Sequence, residues 1–323
     1  MNRIATITAC CVIAGVTGLQ AAQAQDVVVY KGRCDASAAA ALDADHFIVG
    51  NDERNKLRTY KRGQPDPIGP GLDLSTFLGT KVDKESDLEG ATTIGNRIYW
   101  ISSHGNNKKA EFQERRHRFF ATDIQPGSPP SVKIVGSKPH TKLLDGMLGN
   151  AALKPLLADA AKLAPEAPGG LNIEGLAATP DGKLLIGFRN PLPKAGALIV
   201  TLENPNDVLE DKPAKFGAPI FVKGLNGNGI RSIERIGDSY LIVAGPTADE
   251  GSFALHRWSG KAGDEAPPVA GIDFKGLRPE ALFGVSPGVV QILSDDGGIM
   301  IGGKECKDLD EAAQSFRSML IKP

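Results

Sequence analysis

The sequence is poor in aromatic residues, which fill 6% of its 323 positions, and in cysteine, of which there are four. Glycine and proline are plentiful instead, a balance that suits many short strands joined by turns better than a helical bundle. Charge of one sign is also lacking. A net charge of −1 offers no global attraction to nucleic acid or to an anionic membrane surface, so any charged partner has to be read from local clusters. After the first two dozen residues no segment approaches the roughly 20 apolar residues of a membrane span. No CxxC pair and no Cys/His or His/His spacing suggests zinc. The apolar and charged fractions are ordinary, which argues for a packed core and against bulk disorder.

The first segment is expected to be an export signal rather than part of the fold. Arg3 supplies the positive start, Ile4 to Leu19 the apolar stretch, and Ala22-Gln23-Ala24 a small-residue cleavage pattern, with cleavage after Ala24. Ile7-Thr8-Ala9-Cys10 has the look of a lipoprotein box but comes too early, with almost no apolar segment ahead of it. The chain from residue 25 to 323 is therefore expected as one domain in the periplasm or outside the cell. Processing would remove Cys10 and Cys11, leaving Cys34 and Cys306, one near each end. An oxidising compartment favours a disulfide between them, which would lock the two ends together.

The fold is read from a degenerate repeat. Glu89 opens one copy and Glu174 another, and the two align almost residue for residue; weaker copies open at Glu234 and Glu280, and a copy without the glutamate starts at Ser37. Each reads as strand, tight turn, strand and polar loop. Gly95-Asn96, Pro180-Asp181-Gly182 and Gly237-Asp238 supply turn chemistry. Two more strand-like runs usually follow, and four strands per unit is a propeller blade. With glutamates about 60 residues apart, an all-β, five-bladed β-propeller is expected, six blades being the alternative. Asp26 to Tyr30 would complete the last blade. Residues 141–170 interrupt the pattern: Leu143, Met147, Leu153, Leu157 and Ala160 fall near helical spacing. They predict a helical insertion between blades two and three, as a lid or a packed cap.

In an antiparallel hairpin the start of one strand lies beside the end of the next. The repeated glutamates and the loops after each second strand are thus expected at one mouth of the channel. The first set is Glu89, Glu174, Glu234 and Glu280. The second is Asp52, Glu53, Ser102, His104, Arg189, Asn190, Asp295 and Asp296, with Arg231 and Arg278 just ahead of their glutamates. Three readings stay open. The ring is a paired network of carboxylates and arginines that holds the blades; or it is a Ca²⁺ site made from Glu89, Glu174, Glu234, Glu280 and Asp295; or a metal together with His104, Arg189, Arg231 and Arg278 acts on a phosphorylated substrate. The partner is accordingly an unknown small molecule, phosphorylated or not, or a protein. Whether the chain is an enzyme stays undecided.

Two resemblances bear on these readings. Ser86-Asp87-Leu88-Glu89-Gly90, Arg116-His117-Arg118-Phe119-Phe120, Leu171-Asn172-Ile173-Glu174-Gly175 and Gly229-Ile230-Arg231-Ser232-Ile233-Glu234 resemble a bacterial exported family known as a domain of unknown function. That resemblance implies a propeller over almost the whole processed chain and no established activity. The Asn-Ile-Glu-Gly-Leu copy also resembles the esterase-like phytase propellers over one or two blades, which implies phosphate ester hydrolysis with Ca²⁺.

Other motifs read as structure. Gly284-Val285-Ser286-Pro287-Gly288 has the spacing of a nucleophile elbow but falls at a hairpin turn. Gly224, Gly227 and Gly229 are expected as loop glycines. The basic run Arg115-Arg116-His117-Arg118 is expected as an outer strand with one solvated face.

Overall fold

Antiparallel hairpins, each extended outward by further strands, stand around an axis in the computed structural model, which describes residues 26–51, 53–81, 84–248 and 251–323. The expected signal segment lies outside the described residues. β1 (Val27–Lys31) precedes the first blade, which comprises β2 (Ala38–Ala41), β3 (His46–Gly50), β4 (Lys56–Lys61) and β5 (Pro67–Asp73). Blade two is β6 (Leu88–Ile94), β7 (Arg97–Ser102), β8 (Phe119–Gln125) and β9 (Ser131–Ile134). Blade three is β10 (Asn172–Ala178), β11 (Leu184–Asn190), β12 (Ala197–Leu202) and β13 (Ile220–Val222). Blade four has three strands, β14 (Gly229–Ile236), β15 (Ser239–Gly245) and β16 (Ala254–Trp258). Blade five starts with β17 (Pro279–Ser286) and β18 (Val289–Ser294); a small hairpin follows, β19 (Met300–Ile301) with β20 (Lys304–Glu305). β21 (Ser315–Ile321) then pairs with β18, and β1 pairs with β21 from Val27↔Met319 to Lys31↔Ser315. The protein is a five-bladed β-propeller whose last blade takes its outer strand from the start of the fold.

Five hydrophobic clusters fill the five seams between neighbouring blades. The seam that closes the ring holds much of the scarce aromatic inventory: Tyr30, Phe47, Tyr60 and Phe316 lie with ring centroids 5.1 to 5.5 Å apart. Such stacked and edge-on pairs add to the area they bury. Cys34 and Cys306 are disulfide-bonded beside this seam, 272 residues apart in sequence.

The insertion is a packed cap. Its helical turns Leu143–Gly149 and Lys154–Leu157 put Leu143, Met147, Leu153 and Leu157 into the seam between blades two and three, all fully buried. Burying that apolar face is what holds these short turns, since helices of one or two turns have no independent stability. No helix among the described residues is long and apolar enough to cross a membrane. Gly288 takes φ +72° at the tip between β17 and β18, so the elbow-like motif is a hairpin turn. The basic run departs from expectation: Glu114–Arg116 forms a 3₁₀ turn and the strand starts only at Phe119. Arg115 and Arg116 meet Glu85 from that turn, while Arg118 is buried and donates to the Leu78 carbonyl.

Candidate functional site

The inner strands of blades two to five carry a β-bulge near their start, whereas β2 of blade one pairs without a shift, and the bulge sets which residue faces the axis. Pairing skips from Leu88↔Ser102 to Gly90↔Ile101, from Ile173↔Phe188 to Gly175↔Gly187 and from Pro279↔Ser294 to Ala281↔Leu293. The residues left over are Glu89, Glu174 and Glu280, re-aimed as an unpaired bulge residue is. In blade four the skip runs from Ile230↔Ala244 to Ser232↔Val243, so Arg231, not Glu234, occupies the bulge. Glu234 pairs opposite Leu241 further along the strand and lies outside the mouth. It lines a separate cavity of about 150 Å³ with Ala40, Ala91, Thr92, Phe283 and Gly284. Enclosure there pushes its carboxyl up to about 8, with one hydrogen bond from Thr92 Oγ1 at 3.3 Å in opposition.

The mouth itself is a cavity of about 680 Å³. Its lining contains ten carboxylates and six cationic side chains, an excess of four carboxylates. Arg231 binds the centre together: Nε lies 3.0 Å from Glu174 Oε2, the other end of the guanidinium meets Glu280, and its central carbon lies over the Phe253 ring, 5.7 Å from the centroid. Arg189 Nη1 reaches Glu174 Oε1 at 3.0 Å, and Asn172 Nδ2 donates to the same oxygen at 2.9 Å. Gly229 permits this approach, because a Cβ there would stand 1.9 Å from the Arg189 carbonyl oxygen. Arg116 spans Glu85 and Asp87 at 3.1 and 3.3 Å.

Carboxylates crowd the side built by blades one and two. Burial raises the Glu53 carboxyl, and Asp295 and Glu85 add repulsion against the pull of Lys307. Asp87 is likewise raised by burial, in spite of Arg116. Asp295 is lowered on balance: burial raises it, but a hydrogen bond with Asp35, the Gly297 N–H, Arg231 and Arg278 outweigh that. Of the four guanidinium groups in the lining, Arg278 alone has no ion pair among the described residues. Asn172 is 5% exposed, and its Oδ1 has no hydrogen-bond partner among the described residues.

The structure thus gathers Glu89, Glu174, Glu280, Asp295, Glu53, Arg189, Arg231 and Arg278 as expected at one mouth. It places others elsewhere. His104 is buried away from the cavity against His117, 5.3 Å between ring centroids, with Nδ1 2.8 Å from the Ser102 carbonyl oxygen. Burial first and His117 second drive its pKa down to about 3, so it is a neutral packed residue and no acid or base of the mouth. Ser102 donates to Ser86, Asn190 holds the Pro165 and Ala167 carbonyls of the insertion, and Asp296 pairs with Arg317. Asp52 lies outside the described residues. Of the five carboxylates expected around Ca²⁺, Glu89, Glu174, Glu280 and Asp295 line this mouth and Glu234 lies at the other cavity, with Arg231 standing between Glu174 and Glu280. No group of three or more His, Cys, Asp or Glu among the described residues has the geometry to hold a metal.

Asp35, Glu85, Asp87, Asn172 and Phe253 line the mouth without having been singled out for it. Strand alternation signals two of them. Asp87 and Asn172 stand two residues before Glu89 and Glu174, the place Arg278 holds before Glu280.

Residues 130–277 match the model of a family described as a protein of unknown function, DUF3616. No curated protein matches the chain, and the resemblance to phytase propellers gains no support. Solved structures similar to it include glutaminyl cyclase of Myxococcus xanthus, at 12% identity over 91% of this chain and 94% of that one, TM-score 0.45. Another is the PQQ-bound aldose sugar dehydrogenase of Streptomyces coelicolor, at 11% identity over 92% and 99%, TM-score 0.43. A third is the GH43 protein BlXynB of Bacillus licheniformis, at 12% identity over 83% and 50%, TM-score 0.43. These proteins differ in what they do, and similarity at this level says nothing of chemistry here.

Proposed function

We propose that the protein is an exported binding propeller whose mouth takes a small, positively charged organic ligand. The observation that carries this reading is the excess of four carboxylates around an open cavity of about 680 Å³. Carboxylates forced together in a partly desolvated site repel one another, and an organic cation relieves that repulsion while its N–H groups find acceptors. Asn172, in the same lining, has a buried Oδ1 without a hydrogen-bond partner among the described residues. A phosphorylated ligand would enter against the same excess charge. A calcium-assisted phosphoesterase would in addition need a set of convergent carboxylates at the position Arg231 fills.

Thermal unfolding of the oxidised protein with agmatine, and separately with Ca²⁺, tests the reading. A ligand bound only by the native state stabilises it by about 2.7 kcal/mol at roughly 100 times its Kd. Agmatine is expected to raise the midpoint, and Glu53→Gln combined with Glu89→Gln to weaken that rise. A rise with Ca²⁺ alone would instead support the metal reading. No rise with either would leave the ion-paired ring as structural.

A further inference from the structure

We infer that the ligand of the mouth also carries a carboxylate, received by Arg278, and that the site selects amphoteric compounds of the basic amino acid type over plain amines. The inference rests on the binding reading above and names its ligand class. Arg189 and Arg231 are already committed to Glu174 and Glu280, and Arg116 to Glu85 and Asp87. Arg278 lines the same cavity; its charge acts on Asp295, but it forms no ion pair among the described residues. It is positioned by backbone contacts: its N–H donates to Ser294 Oγ at 2.9 Å, and its carbonyl accepts from the Asp295 N–H at 2.9 Å. Its Nη1 lies over Gly298, where a Cβ would come within 3.1 Å, so the glycine leaves the guanidinium its place.

The two poles come from different blades of the ring. Asn172, with its unpartnered acceptor, belongs to blade three, and Arg278 leads into blade five, two blades away in a ring of five. Asp87 and Glu89 of blade two extend the acceptor side. A guanidinium or ammonium placed there, with a carboxylate on the fork of Arg278, pairs both ends with opposite charge. A simple diamine leaves Arg278 unpaired and adds a like charge beside it.

Calorimetric titration with L-arginine and with agmatine, which is arginine without its carboxylate, separates the cases. Arginine is expected to bind about tenfold more tightly, as a charge-assisted hydrogen bond implies. Arg278→Gln is expected to bring the two affinities together, and agmatine binding by that variant reports that it has folded. Agmatine binding as well as arginine to the unaltered protein would overturn this inference and leave the cation-binding reading standing. Binding of neither would overturn both.

Discussion

Arg231 stands at the point of its inner strand where Glu174 stands in the blade before, and the two side chains meet there, Nε to Oε2, at 3.0 Å. The repeat therefore supplies its own counter-ion. One copy in the ring replaces the bulge glutamate by an arginine that also reaches Glu280 of the next blade, binding three blades at the axis.

Removing that arginine leaves two buried carboxylates facing each other. Arg231→Ala is expected to cost roughly 3–5 kcal/mol, the penalty for an uncompensated buried charge. Arg278→Ala, which breaks no ion pair, is expected to stay within about 0.5 kcal/mol. Urea unfolding of the two variants measures the contrast; equal losses would show that Arg231 does not hold the ring.

The disulfide closes almost the whole fold. Replacing Cys34 and Cys306 by serine is expected to cost roughly 5 kcal/mol through the longer loop freed in the unfolded chain. Amide exchange should rise first along β1, whose ladder to β21 is tethered by the bridge. Uniform exchange across all blades would argue against a local role in closure.

Glu234 is expected to make the fold sensitive to rising pH. Its folded carboxyl titrates at about 8, above the usual 4.5 of the unfolded chain, with Thr92 and Arg235 the groups opposing the shift. Between those values the folded state holds a proton the unfolded state has lost, so stability is full below 4.5 and falls as pH rises through 8. Midpoints measured from pH 5 to 9 are expected to fall less steeply for Glu234→Gln. Parallel profiles would place the titration elsewhere.

The acid side depends on histidine. His104 and His117 titrate at about 3 and 4 when folded, chiefly through burial, against 6.5 for a free imidazole; His117 and then His140 and Arg118 oppose protonation of His104 further, and Arg118 that of His117. Both bind protons earlier in the unfolded chain, so their contribution is present above pH 6.5 and is lost as pH falls toward 4. His104→Asn keeps a residue tolerant of the left-handed backbone at φ 54° and removes one titration. Its midpoint should decline less between pH 6.5 and 4, and an unchanged slope would show that His104 contributes nothing to acid sensitivity.

Hairpins were legible from the chain because their causes are local: a turn glycine, a short alternating strand and a recurring start. Glu234 was misplaced for the same reason. The fourth copy is degenerate, and its only glutamate drew the alignment three residues past the bulge, where the pairing actually puts Arg231. Asp87 and Asn172 were available from alternation once the bulge glutamates were recognised. Asp35 and Phe253 were not, since each comes from a loop or turn whose position depends on the neighbouring blades.

The amino-acid sequence by itself determined the propeller, its closing strand and the pair of cysteines, because strand length, turn chemistry and repeat spacing act over a few residues at a time. Closing the ring decided the rest. Only there do Asp35 and Gly297 come close enough that a Cβ on the glycine would stand 2.0 Å from the carboxyl oxygen, and only there is one arginine of the four in the lining left without an ion pair among the described residues. Which charges cancel is set by distances across the axis, and those distances exist only in the folded ring.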